Sequence, residues 1–150
     1  MIKVVPDANI ILSGMISRYG APRKILDFAL AKKIVLYGND ETYKEFCEKI
    51  FLPRLQKYLR AQFFTPEKMM LDYKSFINMV EPFDTLSGIN IVEKDPDDDV
   101  YFRVAKASNA KVIVTGDKAV LGVKKYDGIL VVSATNFLNS FQKLGSSKFF

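Results

Sequence analysis

Four acidic positions could act together on a phosphate ester: Asp7, Glu45, Asp99 and Asp117. Asp7 closes the apolar run IKVVP, and Asp117 follows KVIVTG. Asp99 ends the segment Asp95-Pro96-Asp97-Asp98-Asp99, and Glu45 lies one turn into the helix expected after the second apolar run. Carboxylates gathered at one place repel and raise each other's pKa, so they persist together mainly when a cation neutralises them. The chain has no His and one Cys, and oxygen-only ligands select hard ions such as Mg²⁺ or Mn²⁺. Such an ion activates a water and offsets the charge of a phosphoryl transition state. Taken singly, each acid also has a structural use. Asp7 and Asp117 suit N-caps or Asx turns, Asp97 to Asp99 suit a helix start, and Glu45 suits a solvated helix face.

The elements that must position these acids read as short apolar runs alternating with helical patterns. Residues 2–5, 34–37, 111–114 and 129–132 are compact β-branched runs bounded by turn residues, as expected of buried strands. A further short strand is expected at 88–92. Helices are expected after Pro22 and over 40–50, 52–62, 66–80, 97–108 and 134–141, with Thr65-Pro66 a strong start signal. Gly14, Ser17 and Gly20 would keep the segment after the first strand loose enough to shape a groove, and ordinary turn chemistry explains them equally well. This alternation predicts a three-layer α/β/α domain with a mostly parallel sheet and right-handed crossovers. Ligands bind such sheets at the carboxyl ends of the strands, where the four acids would gather. One domain over 1–142 is expected, with 143–150 as a loose tail.

Composition sets the boundaries. The 150 residues are 49% hydrophobic and 26% charged, which describes a soluble globular chain that needs no disulfide or structural metal. Without His there is no Ser-His-Asp triad, Cys-His pair or imidazole zinc site. Lone Cys47 reads as a packing residue in a reducing, cytoplasmic setting. No apolar run reaches a membrane span, so no membrane partner is expected. The net charge of +5 permits a polyanionic partner.

At these residues the sequence resembles the PIN domain family, in its toxin-like branch of toxin–antitoxin ribonucleases. Val4-Val5-Pro6-Asp7-Ala8-Asn9-Ile10-Ile11-Leu12-Ser13 is similar to the family's opening strand, with its first acid at Asp7 and a supporting Asn9. Thr42-Tyr43-Lys44-Glu45 resembles the second acidic segment. Asp95 to Phe102 resembles the third, through Asp99 with Asp98 in support, and Val112 to Lys118 the fourth, through Asp117 with Thr115 in support. Two departures stand beside the match: Pro6 replaces an apolar residue, and Ala119 an acid. The resemblance implies a PIN-like fold and Mg²⁺- or Mn²⁺-dependent hydrolysis of RNA, with Asp7, Glu45, Asp99 and Asp117 as metal ligands. An antitoxin protein and a homodimer are the partners it implies beyond RNA. A non-cleaving module that binds RNA or protein is the alternative. Receiver-like and dinucleotide-binding readings stand as remoter alternatives, for want of an acidic pair, a Lys after the last strand, or a glycine-rich turn after the first.

An acidic centre needs basic walls to attract a polyanion. Arg54, Lys57 and Arg60 recur at three-residue steps along one side of a helix, and Lys118 flanks the fourth acid. Phosphate contact is the functional reading of these cations, and a solvated helix face the structural one. Tyr58, Phe63, Phe64 and Tyr73 could stack on bases, though their helical spacing favours packing.

Overall fold

The computed structural model describes residues 1–81 and 99–144. The expected strand at 88–92, the acids Asp95 to Asp98, and residues 145–150 of the expected tail lie outside them. The described residues form a six-stranded sheet built from β1 (Ile2–Pro6), β2 (Ile34–Gly38), β3 (Ile77–Met79), β4 (Val112–Val114), β5 (Lys125–Tyr126) and β6 (Ile129–Val132). Around it run α1 (Ala8–Ile16), α2 (Ala21–Leu30), α3 (Asp40–Ile50), α4 (Pro53–Ala61), α5 (Pro66–Phe76), α6 (Val100–Ser108), α7 (Lys118–Leu121) and α8 (Ala134–Leu144). The strand order is β3-β2-β1-β4-β6-β5. All neighbours are parallel except β5 and β6.

The central strands β1 and β4 are apolar throughout except for Lys3, because both faces of the sheet are covered. One apolar cluster joins Val4, Leu36, Val112 and Val114 to α1, α2, α3, α5 and α8. The second, on Val5, Ile113 and Val131, is closed by Val100, Tyr101, Phe102 and Val104 of α6. The alternating sequence thus produces the three layers expected of it. Cys47 is half-buried against the first cluster.

Two expectations change. The segment after β1 is not loose: it is α1, with Asp7 capping its first turn. Gly14 sits inside this helix where α2 passes closest. A Cβ there would stand 2.7 Å from Leu26 Cδ1 and 2.9 Å from the Pro22 carbonyl oxygen. Gly14→Ala should therefore destabilise the protein, since overpacking of about 1–3 kcal/mol outweighs a helix-propensity gain of at most about 1 kcal/mol. Urea unfolding would show the loss.

The helix expected over 66–80 ends at Phe76. Ile77 turns extended, with φ −105° and ψ 128°, and β3 pairs parallel with β2 at Leu36↔Ile77. The apolar periodicity ran on because a buried Ile suits either structure. Tyr73 is buried and packs on Phe46 at 4.8 Å between ring centroids, so it is core. Phe64 packs partly against the same core. Among the described residues no helix is long and apolar enough to cross a membrane.

Candidate active site

The chain runs β1→β2→β3 to one side of β1 and then returns to lay β4 on the other. Strand order reverses between β1 and β4, and the crevice beyond their carboxyl ends is where an open α/β sheet takes its ligand. Pro6 pairs with Val114 there, which sets Asp7 beside Thr115.

Asp7 continues the ladder by donating its backbone N–H to the Val114 carbonyl at 3.0 Å. Its side chain is 4% exposed. Oδ1 accepts the Ile10 amide at 2.8 Å, and Oδ2 accepts the Thr115 hydroxyl at 2.5 Å. Burial pushes the Asp7 carboxyl above the usual carboxylate range. The Thr115 hydroxyl, the Ile10 and Gly116 amides and the charge of Lys49 pull the other way without cancelling it.

Thr115 is fully buried and faces both ways, because its Oγ1 also accepts the Asp117 amide at 3.0 Å. Asp117 is exposed. It caps α7, accepting the Ala119 amide at 2.8 Å and the Val120 amide at 3.3 Å through Oδ1. The Thr115 hydroxyl therefore ties the first and fourth acidic segments together.

Glu45 reaches the same rim from α3. That helix is anchored by a capping box, in which Asn39 accepts the Thr42 amide and the Thr42 hydroxyl accepts the Asn39 amide. From α6, the buried Tyr101 donates its hydroxyl to Glu45 Oε2 at 2.6 Å. Lys49, one turn further along α3, stands 3.9 Å from Glu45 Oε1. Desolvation, first, then the Glu45 hydrogen bond and the charges of Glu45 and Asp7 push the Tyr101 hydroxyl far above its ordinary pKa. Tyr101 thus sits in the field of both carboxylates, which favours the protonated hydroxyl that donates to Glu45. Asp99 holds the N-cap position of α6, two residues before Tyr101. It is 3% exposed and its carboxyl does not cap the helix.

The structure therefore joins Asp7 to Asp117 through Thr115, and places Glu45 with Asp7 around Tyr101. Among the described residues no three carboxylate or thiol side chains are already gathered as a cation cage. The donor chemistry nonetheless suits a hard cation: the acids offer oxygen only, and a nearby positive charge would offset the desolvation of Asp7. Asn9 is exposed in the first turn of α1 and Lys118 is exposed at the start of α7. Arg54, Lys57 and Arg60 are exposed along α4, a helix that packs on α3. Asp7 and Asp117 do serve as N-caps, as their structural reading had it, and they do so at the strand ends where a ligand would sit. Sequence reasoning gave Tyr101 no role. The signal was a tyrosine among the buried positions of the helix that follows Asp99, whose hydroxyl had to find a partner.

The class these observations define is an open, mostly parallel α/β domain with acids at its topological switch point. The family model described as PIN domain matches residues 3–119, and the chain belongs to that family, which is generally a nuclease fold. It is similar to Uncharacterized protein MJ1680 of Methanocaldococcus jannaschii, 30% identical over 150 residues that cover 95% of this chain and 93% of the relative. The crystal structure of PAE2754 from Pyrobaculum aerophilum superposes with a TM-score of 0.57, covering 94% of this chain and 97% of that one at 15% identity. That likeness is one of fold.

Proposed function

We propose that this protein is a cytoplasmic, divalent-metal-dependent ribonuclease that hydrolyses RNA phosphodiester bonds. The observation that carries the reading is the buried Asp7 carboxylate at the sheet's switch point, tied through Thr115 to Asp117. Asp7, Asp99 and Asp117 would hold Mg²⁺ or Mn²⁺, with Glu45 completing the shell or orienting the water. When bound, the ion supplies an acidified water and offsets charge on the scissile phosphate. The protein's own part is positioning. The Thr115 hydroxyl and the Ile10 amide fix both oxygens of Asp7, and the Tyr101 hydroxyl holds one oxygen of Glu45 so that the other is left toward Lys49 and the rim. Asn9 and Asp98 would support the acids. Lys118 and the Arg54, Lys57 and Arg60 stripe would meet the phosphates of the strand.

The toxin-like branch adds two partners to this reading, an antitoxin protein and a second copy of the chain. The test is cleavage of a fluorescent single-stranded RNA with Mg²⁺, Mn²⁺ or EDTA. Cleavage that requires the metal and stops in EDTA is the expected result. Salt-sensitive RNA binding without cleavage under any metal would instead identify a binding module on the same fold.

A further inference from the structure

Two stretches of the chain, residues 8–26 and 50–66, contain no Asp or Glu, yet between them carry Arg18, Arg23, Lys24, Arg54, Lys57 and Arg60. They meet at an open pocket of about 770 Å³, lined by the end of α1, the connector to α2, and the end of α4. Arg18, Tyr19 and Arg23 line one side; Tyr58, Gln62 and Phe64 line the other. Phe64 packs partly on the core, but the two tyrosines are not folded away. Tyr19 is 85% exposed, Tyr58 is 45% exposed, and neighbouring Phe63 is 94% exposed. The pocket is open to solvent, and no carboxylate lines it.

Exposed rings on a surface usually mark an interface, and the charge around these decides the kind of partner. A second copy of this net-positive chain would set these cations against cations. A polyanion that also carries planar apolar faces matches both features at once, because unpaired bases stack on tyrosine and on guanidinium planes while phosphates take the charge. Arg23 pairs with Asp27 at 3.3 Å, but both groups are exposed. Such a pair contributes little and can yield to a phosphate.

The pocket also lies in line with the acidic centre. Asp7 caps the first turn of α1, and Met15 and Ile16 at its other end line the pocket. At 1.5 Å per residue the two sites are separated by about 13 Å along one rigid helix.

We propose that this pocket is a single-stranded RNA subsite, where unpaired bases stack on Tyr19 and Tyr58 while Arg18 and Arg23 take the flanking phosphates. The choice of RNA rests on the ribonuclease reading; the pocket's preference for an unpaired polyanion rests on its own residues. For an RNA long enough to engage both sites, the subsite would set where along the strand the cut falls.

The test is fluorescence anisotropy of a labelled single-stranded RNA of about 12 nucleotides, within the span such sites cover. It is run in EDTA so that binding is read without cleavage. Tyr19→Ala with Tyr58→Ala should weaken binding by roughly 10- to 100-fold, whereas Tyr19→Phe with Tyr58→Phe should bind like the wild type. Arg18→Gln with Arg23→Gln should lower the salt slope by about one to two. A duplex of the same sequence should bind more weakly than the single strand.

Alanine and glutamine variants that bind like the wild type would overturn the subsite, even if the protein cleaves RNA. A wild type that does not bind the RNA in EDTA would overturn it as well. Self-association that disappears in Tyr58→Ala, with RNA binding unchanged, would also overturn it, in favour of a protein contact. Conversely, binding lost in the alanine variants of a protein that never cleaves would uphold the subsite and sink the ribonuclease reading. All four positions are at the surface or half-buried, so circular dichroism of the variants should match the wild type.

Discussion

Asp7→Asn is expected to reduce metal-dependent RNA cleavage by roughly 100- to 1000-fold, since a ligand lost from such a centre removes several kcal/mol of transition-state stabilisation. The same change should leave the fold as stable as before, or more stable, at neutral pH. The reason is the raised pKa of this buried carboxyl. In the unfolded chain Asp7 ionises near 3.8, but in the folded chain only at a higher pH. Between those two values the native state holds a proton that the unfolded state has released. Stability therefore falls as pH rises through that window, and the full cost of the buried charge is carried above it.

Asparagine never ionises. It keeps an oxygen for the Ile10 amide, and it offers an N–H to Thr115 Oγ1, which already accepts the Asp117 amide and has a second lone pair free to accept again. The melting temperatures of variant and wild type should lie closest below pH 3.8, separate in favour of the variant as pH rises through the raised pKa, and then run parallel. A variant that keeps full metal-dependent activity would remove Asp7 from the centre. A variant markedly less stable at neutral pH would mean that the carboxylate is a structural cap first and a catalytic group second.

That a carboxylate proposed for catalysis should also be a cap explains what could be read from the sequence and what could not. Both acids at strand ends were legible because a compact apolar run stopping at Asp is a local signal. The parallel, doubly covered sheet was legible because β1, β2, β4 and β6 each carry it. Helix α1 was hidden, since its Gly14 and the following Ser17 and Gly20 mimic a loop. Only the approach of Leu26 gives that glycine its purpose. Strand β3 was hidden for the opposite reason: three residues after a helix carry no pattern of their own, and pairing with β2 decides them. The partnerships of the site lie beyond any local signal. Thr115 meets Asp7 across 108 positions and Tyr101 meets Glu45 across 56. Such contacts follow from strand order and helix packing, which spacing along the chain does not encode.

Tyr101 is the position where this non-local design can be tested most sharply, because two substitutions should separate its two roles. The ring is buried within the cluster that seals α6 against β1 and β4. Tyr101→Ala should cost about 3–5 kcal/mol through the cavity it leaves, a large part of the roughly 5–15 kcal/mol that holds an ordinary domain folded. Tyr101→Phe keeps the ring and removes only the donor to Glu45. Glu45 is about one-third exposed, so water can replace that hydrogen bond, and the stability change should stay near 1 kcal/mol. The carboxylate, however, would no longer be held in one orientation. Its remaining partner, Lys49 at 3.9 Å, would then set its position instead. Cleavage by the Phe variant should therefore fall roughly 10-fold, with RNA affinity in EDTA and melting temperature close to the wild type. A loss of activity that merely tracks lost stability in both variants would reduce Tyr101 to a core residue. Wild-type activity in Tyr101→Phe would mean that Glu45 reaches its working position without help from α6.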